Sequence, residues 1–241
     1  MPLQVDNLAL RFGTRSVLAN VNFCIEDGCF VGLIGANGSG KSTLMAILAG
    51  LLKASEGDVK LDQQPIDVGM TSVRRHIGFA LDPSLLPAGL TGRQAIALSE
   101  KVLGLNTQPN EALLELRQAV RLEGLLDQQI GRYSLGTQQK LAIVLALLGS
   151  PKLLLLDESL NGLDPRSAFK VKQFLADYVR RAGAIVLLAT HAIGAVERFC
   201  DELLIVSEHL SVTHLARVEL SALRERAPSI EDALIARISG H

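Results

Sequence analysis

The stretch Gly35-Ala36-Asn37-Gly38-Ser39-Gly40-Lys41-Ser42-Thr43 constrains this chain more than any other. It matches the pattern G-x-x-x-x-G-K-[ST] at every fixed position. Its three glycines let the backbone turn tightly and point successive N–H groups inward, a nest for anionic oxygens. Lys41 can place a point charge on β- and γ-phosphates, and the Ser42 hydroxyl can bind Mg²⁺. The flanks agree with this reading. Phe30 to Ile34 is a short apolar run that reads as a buried strand. Thr43 to Ala49 reads as a helix, whose N-terminal dipole favours phosphate.

The 241 residues suffice for one sizeable α/β domain or two small ones, and 48% are hydrophobic, so a packed core is expected. A net charge of −1 gives no electrostatic reason to bind nucleic acid. Cys24, Cys29 and Cys200 lack metal-ligand spacing and read as reduced thiols of a cytosolic protein. The N-terminus has no secretory pattern. No run reaches the roughly 20 apolar residues of a membrane span. Leu141 to Gly149, the longest candidate, reads as a buried helix. Any membrane role is therefore expected to come through a partner.

In chain order, Leu3 to Phe12 and Val17 to Ile25 read as strands. Gly13 turns the first, and Asp27-Gly28 closes the second as a hairpin-like turn. Phe12 and Val17 flank a turn upstream of the glycine-rich loop, and Phe12 is read evenly as a purine-stacking ring or as ordinary core. Gly57 to Asp62 reads as an edge strand, and Ile77 to Leu81 as another, ending at Asp82-Pro83. From Thr91 to Gly149 the pattern is helical, with Thr91 and Asn110 as caps, an all-helical insertion in an α/β core. Leu153 to Leu156 is continuously apolar, which suggests a strand buried on both faces. Pro165 to Arg181 reads as a helix with Gly183 just past its end. Ala184 to Ala189 and Glu202 to Ser207 read as strands, and helix is expected from Leu220 onward, broken at Pro228-Ser229.

Transfer of a phosphoryl group to water needs a phosphate cradle, a metal ion and a group that positions the water. Asp157, ending the apolar strand, is the natural second anchor for Mg²⁺. A carboxylate after four leucines would be costly without a partner. Glu158 can be turned by the following loop toward the γ-phosphate and polarise water as a general base. His191, at the end of the neighbouring strand, can hydrogen-bond that phosphate or water.

With these pieces in place the chain resembles an ATP-binding-cassette (ABC) ATPase, from Leu3 to about Ser207. Tyr133-Ser134-Leu135-Gly136-Thr137-Gln138-Gln139-Lys140 stands where that family carries its signature L-S-G-G-Q; Ser134 and Gly136 match it, while Tyr133, Leu135 and Thr137 are variants. The resemblance implies a P-loop NTPase core with a mostly parallel sheet, an N-terminal antiparallel β subdomain and an inserted α-helical subdomain at about 83–150. Residues 208–241 then form a short, mostly helical extension. It also implies an adenine-stacking role for Phe12 and a switch role for His191. Asn161-Gly162-Leu163-Asp164 becomes a loop crossing a dimer interface. Two subunits would pair head to tail, with each ATP held between one phosphate loop and the other signature. A separate integral membrane permease would take up the motion, placing the chain peripherally at the cytoplasmic face.

The chain departs from the family at two places. Asp82 stands where Gln is usual; it could still reach Mg²⁺, but adds negative charge near Asp157 and Glu158. Ser159 replaces a proline and frees the backbone after Glu158. Ser229 to Ile235 resembles the ending of ABC-2 multidrug and antibiotic exporters, so export is expected rather than import. The alternatives are a degenerate ATP-binding partner in a heterodimer and a soluble ABC ATPase acting on nucleic acid or ribosomes.

Overall fold

The computed structural model describes residues 2–69, 71–80, 82–105, 111–190, 198–207 and 210–226. His191, the Asn110 cap and the expected break at Pro228-Ser229 lie outside them. Two sheets organise the chain. The smaller is antiparallel, order β2-β1-β4-β5, built from β1 (Leu3–Phe12), β2 (Arg15–Ile25), β4 (Glu56–Leu61) and β5 (Gln64–Pro65). The larger has six strands in the order β10-β9-β3-β8-β7-β6. These are β3 (Phe30–Gly35), β6 (Ile77–Ala80), β7 (Leu153–Asp157), β8 (Ile185–Ala189), β9 (Glu202–Val206) and β10 (Val212–Leu215). Every pairing in it is parallel except β9 with β10.

The sequence pattern accounts for the layers. Leu153 and Leu155 of β7 pack with α1 (Lys41–Leu48) and the antiparallel sheet. Leu154 and Leu156 pack into a second core with the helical insertion. Alternate side chains of one strand thus enter two cores, which is why its apolarity is continuous. All four leucines are fully buried, and each such side chain contributes about 1.5–3 kcal/mol. The insertion holds α3 (Gly92–Val102), α4 (Glu111–Ala119) and α5 (Leu135–Leu147), with no strand of either sheet among its described residues. Thr91 starts α3 with a capping box closed by Gln94. α6 (Pro165–Ala182) starts at the Asp164 cap, with Pro165 at its first position, and stops at Gly183 at φ 59°. Between β5 and β6 lies the single turn α2 (Thr71–Arg74), and α7 (Arg217–Arg226) follows β10.

Two expectations change. Asp27-Gly28 does not close a hairpin: β2 pairs with β1, whereas β3 pairs with β8 and β9. The turn carries the chain from one sheet to the other, and burial of both faces of Phe30 to Ile34 overrides the local turn signal. The strand at Glu202 to Ser207, read as the last, is also followed by another. β10 extends the large sheet before α7 begins, with Val212 paired to Val206 and Leu215 to Leu203. Among the described residues no helix is long and apolar enough to cross a membrane.

Candidate functional site

The glycine-rich loop runs from the end of β3 to the start of α1, at the C-terminal edge of the parallel strands. Close approach dictates Gly35: a Cβ there would lie 2.6 Å from the Val206 carbonyl oxygen and 2.8 Å from Ser39 Oγ. Gly40 takes φ 108° just before α1, a conformation that side chains disfavour. The first turn of α1 carries no acidic residue to offset its dipole. Lys41 is buried, and its Nζ donates to the carbonyls of Gly35 at 2.8 Å and Ala36 at 2.9 Å. Burial lowers its pKa, and the nearby Glu158 and Asp157 oppose that shift. Ser39 Oγ is buried without a hydrogen-bond partner, beside the nest.

Phe12, Arg15, Val17 and Glu158 share with this loop an open cleft of about 530 Å³. That lies within the range of about 300–1,000 Å³ usual for small-molecule sites. Asn37, Gly38, Ser42 and Thr43 line it too. Phe12 is 54% exposed, so it is not core, and its ring is available to stack. Arg15 lies outside the motif. The signal that marks it is the two-residue spacing from Val17, which puts both on one face of β2.

The strand-end carboxylates adopt different settings. Asp157 is half-buried, and its Oδ1 is fully enclosed with no hydrogen-bond partner. Such an oxygen is costly unless a cation or donor joins it. Glu158 adopts φ 49°, the left-handed region. This twist replaces the strand's alternation and lets the second carboxylate reach the cleft. Its backbone N–H donates to Ala189 O at 3.1 Å, and Asn161 Nδ2 donates to its Oε2 at 3.2 Å. Ser159 is buried, and its hydroxyl donates to Asp157 O at 3.2 Å. Asp82 is exposed, and its Oδ1 accepts the Ser84 N–H at 2.8 Å; hydrogen bonding by the Ser84 side chain first, and then by that N–H, holds its pKa down.

The segment Ser134 to Gln138 does not line this cleft. Ser134 caps α5, accepting the Thr137 N–H at 3.2 Å, and its hydroxyl is 2.9 Å from Thr137 Oγ1. Leu135 is exposed, while Gln138 Nε2 donates to Ile130 O at 3.3 Å. Tyr133 is buried, with its hydroxyl donating to Leu125 O at 2.7 Å. Of the loop at 161–164, Asn161 touches Glu158, Leu163 is at the edge of burial, and Asp164 accepts the Ser167 N–H at 2.9 Å. Gly162 stands at φ 88° against α5. Gln139 and Lys140, which end the segment read as the signature, are brought to this loop by tertiary packing.

Comparison with known proteins agrees with the geometry. The profile described as ABC transporter matches residues 18–161. The uncharacterised ABC transporter ATP-binding protein YdbJ of Bacillus subtilis is 32% identical, over 86% of this chain and 66% of its own length. The lantibiotic transport ATP-binding protein SrtF of Streptococcus pyogenes is 31% identical, over 83% of this chain and 84% of its own. A solved ATP-binding subunit of an ABC transporter superposes with TM-score 0.86 at 27% identity, covering 99% of both chains. A dimeric ATP-binding cassette in a post-hydrolysis state with ADP and Pi gives TM-score 0.79 at 26% identity, over 89% of this chain and 98% of that one. The chain belongs to the ABC transporter family, as one of its ATP-binding cassettes.

Proposed function

We propose that the chain binds ATP in the cleft between Phe12 and the glycine-rich loop and hydrolyses it to power a separate membrane permease. One observation carries the reading. The cleft brings an exposed aromatic ring, a phosphate nest with its lysine and a turned carboxylate together around one volume. Phe12 stacks on the adenine, with Val17 beside it. Backbone N–H groups from Gly35 to Thr43 and the Lys41 ammonium hold the β- and γ-phosphates. Glu158 accepts a proton from the attacking water, with its carboxylate steadied by Asn161. His191 keeps the role that the resemblance gives it, a hydrogen bond to the γ-phosphate or the water.

The residues suit a divalent cation. The enclosed, unpartnered Asp157 Oδ1 is an anionic oxygen in need of a counter-charge, and Ser42 begins α1 beside the phosphates. Ser42 and Asp157 would hold Mg²⁺, which when bound offsets the phosphate charge. Asp82, the third metal ligand expected from the sequence, has its carboxylate on the Ser84 N–H and does not line the cleft.

Ser134 to Gln138 serve the ATP of a second subunit, and Asn161 to Asp164 cross to it. That assignment fits a capped helix start lying away from the chain's own cleft. The permease partner places the chain at the cytoplasmic face of the membrane. Relatives described as a lantibiotic transport protein, a bacitracin transport protein and a Nod factor export protein favour export. The test is Mg²⁺-dependent ATP hydrolysis by the purified chain, alone and with its permease. Turnover that Glu158→Gln abolishes supports the reading. ATP binding without turnover in both settings makes the chain a degenerate partner instead.

A further inference from the structure

The resemblance treats the start of α5 and the loop at 161–164 as two separate surfaces, each meeting a second subunit. Within this chain they touch. A Cβ on Gly136 would lie 2.8 Å from the Gly162 carbonyl oxygen. A Cβ on Gly162 would lie 2.9 Å from Gln139 Oε1. Gln139 is 7% exposed, and that oxygen has no hydrogen-bond partner, so the amide is wedged against the loop rather than bonded to it. One residue further, Lys140 Nζ approaches Asp164 Oδ2 at 3.3 Å. Lys140 keeps 14% of its side chain exposed and Asp164 56%, so the packed lysine reaches out to a carboxylate that stays partly in water. From Asp164 the loop leads back to Asn161, whose amide holds Glu158.

The pattern of substitution in the signature segment agrees. Of its two glycine positions, the chain keeps the one whose backbone meets Gly162 and replaces the other by Leu135, which is 60% exposed. The retained glycine is explained by this internal contact, without any appeal to phosphate.

We propose that Lys140 is a positioning residue for Glu158: with Gly136 and Gln139 it clamps the 161–164 loop, and through Asn161 it fixes the carboxylate's place in the cleft. This rests on the reading of Glu158 as general base. A misplacement of about 1 Å at a reacting group can cost about 10²-fold in rate, so the clamp acts on turnover rather than on binding.

Lys140→Met, Lys140→Arg and Gly162→Ala test it, with two readouts. The first is amide hydrogen exchange across 158–164, which needs no turnover. We expect Lys140→Met and Gly162→Ala to speed exchange there by about fivefold or more while the interiors of α5 and α6 keep their protection. Lys140→Arg should hold the loop as the wild type does. Unchanged exchange in Lys140→Met overturns the proposal. The second is the split between kcat and KM for ATP. Lys140→Met should lower kcat by about tenfold with KM, ATP affinity and Tm unchanged, and Lys140→Arg should restore most of it. A wild-type kcat in Lys140→Met overturns the proposal and leaves the ATPase reading standing. If no chain turns over ATP, that reading fails separately, and exchange still decides whether Lys140 holds the loop.

Discussion

Lys41 Nζ stands 2.8 Å from the Gly35 carbonyl oxygen, so the loop's own backbone holds the cation at the cradle. The charge is already desolvated, and its depressed pKa follows from that burial. Lys41→Ala removes the cation and its hydrogen bonds to the Gly35 and Ala36 carbonyls, of which Ala36 keeps the Ser39 N–H. ATP affinity should fall by about tenfold or more, read by titration calorimetry. Affinity within twofold of wild type would remove Lys41 from the phosphate site.

Glu158→Gln keeps the shape of the side chain and loses the base. Hydrolysis should drop by about 10²–10⁴-fold while ATP binding persists. With the nucleotide no longer consumed, ATP and Mg²⁺ should drive the variant to a dimer in size-exclusion chromatography with light scattering. A variant that binds ATP yet stays monomeric at high concentration points to an unlike second subunit.

Phe12 offers a clean separation of binding from stability, because it is exposed. Phe12→Ala should weaken ATP by about 1–3 kcal/mol, the range for base stacking on an aromatic ring. Tm should move little. A large fall in Tm with unchanged affinity would return the ring to a packing role.

Glu202 on β9 accepts from His214 on β10 at 2.8 Å, and Cys29 Sγ lies 3.7 Å from its other oxygen. Arg217, which pairs with Asp201, adds positive charge nearby. The His214 hydrogen bond chiefly holds the Glu202 pKa below its ordinary value. For a depressed acid, the stabilisation is complete above the unfolded carboxylate pKa and is lost as pH falls through the folded one. Thermal unfolding from pH 7 down to pH 3 should therefore steepen on the acid side in the wild type. The same scan should be flatter for Glu202→Gln, and identical slopes would deny the pair a part in stability.

Leu155 lies fully buried between the large sheet and α1. Leu155→Ala should cost about 2–5 kcal/mol in urea unfolding, from lost transfer energy plus the cavity. A cost below 1 kcal/mol would mean that the core collapses around the gap.

What the sequence reveals here follows the range of each interaction. The phosphate loop is legible because nine consecutive residues build it. The two-faced burial of β7 is legible because Leu153 to Leu156 show it without interruption. Val212 to Leu215 is too short for alternation to register, and only its pairing with β9 makes it a strand. Asp27-Gly28 carries a hairpin signal that the sheet arrangement overrides. The Lys140–Asp164 pair joins residues 24 positions apart, and no local pattern encodes it. Asp82 is legible as a carboxylate at a strand end, but its use as a cap emerges only from the turn that follows.

The backbone of Glu158 sits at φ 49°, where a residue with a side chain is strained by an amount on the order of 1 kcal/mol or more. Glycine or asparagine relaxes there at less cost. Durability and chemistry thus pull against each other at a single position. An engineering campaign that scores variants on heat tolerance alone drifts toward replacing Glu158, and each such gain trades away the carboxylate in the cleft.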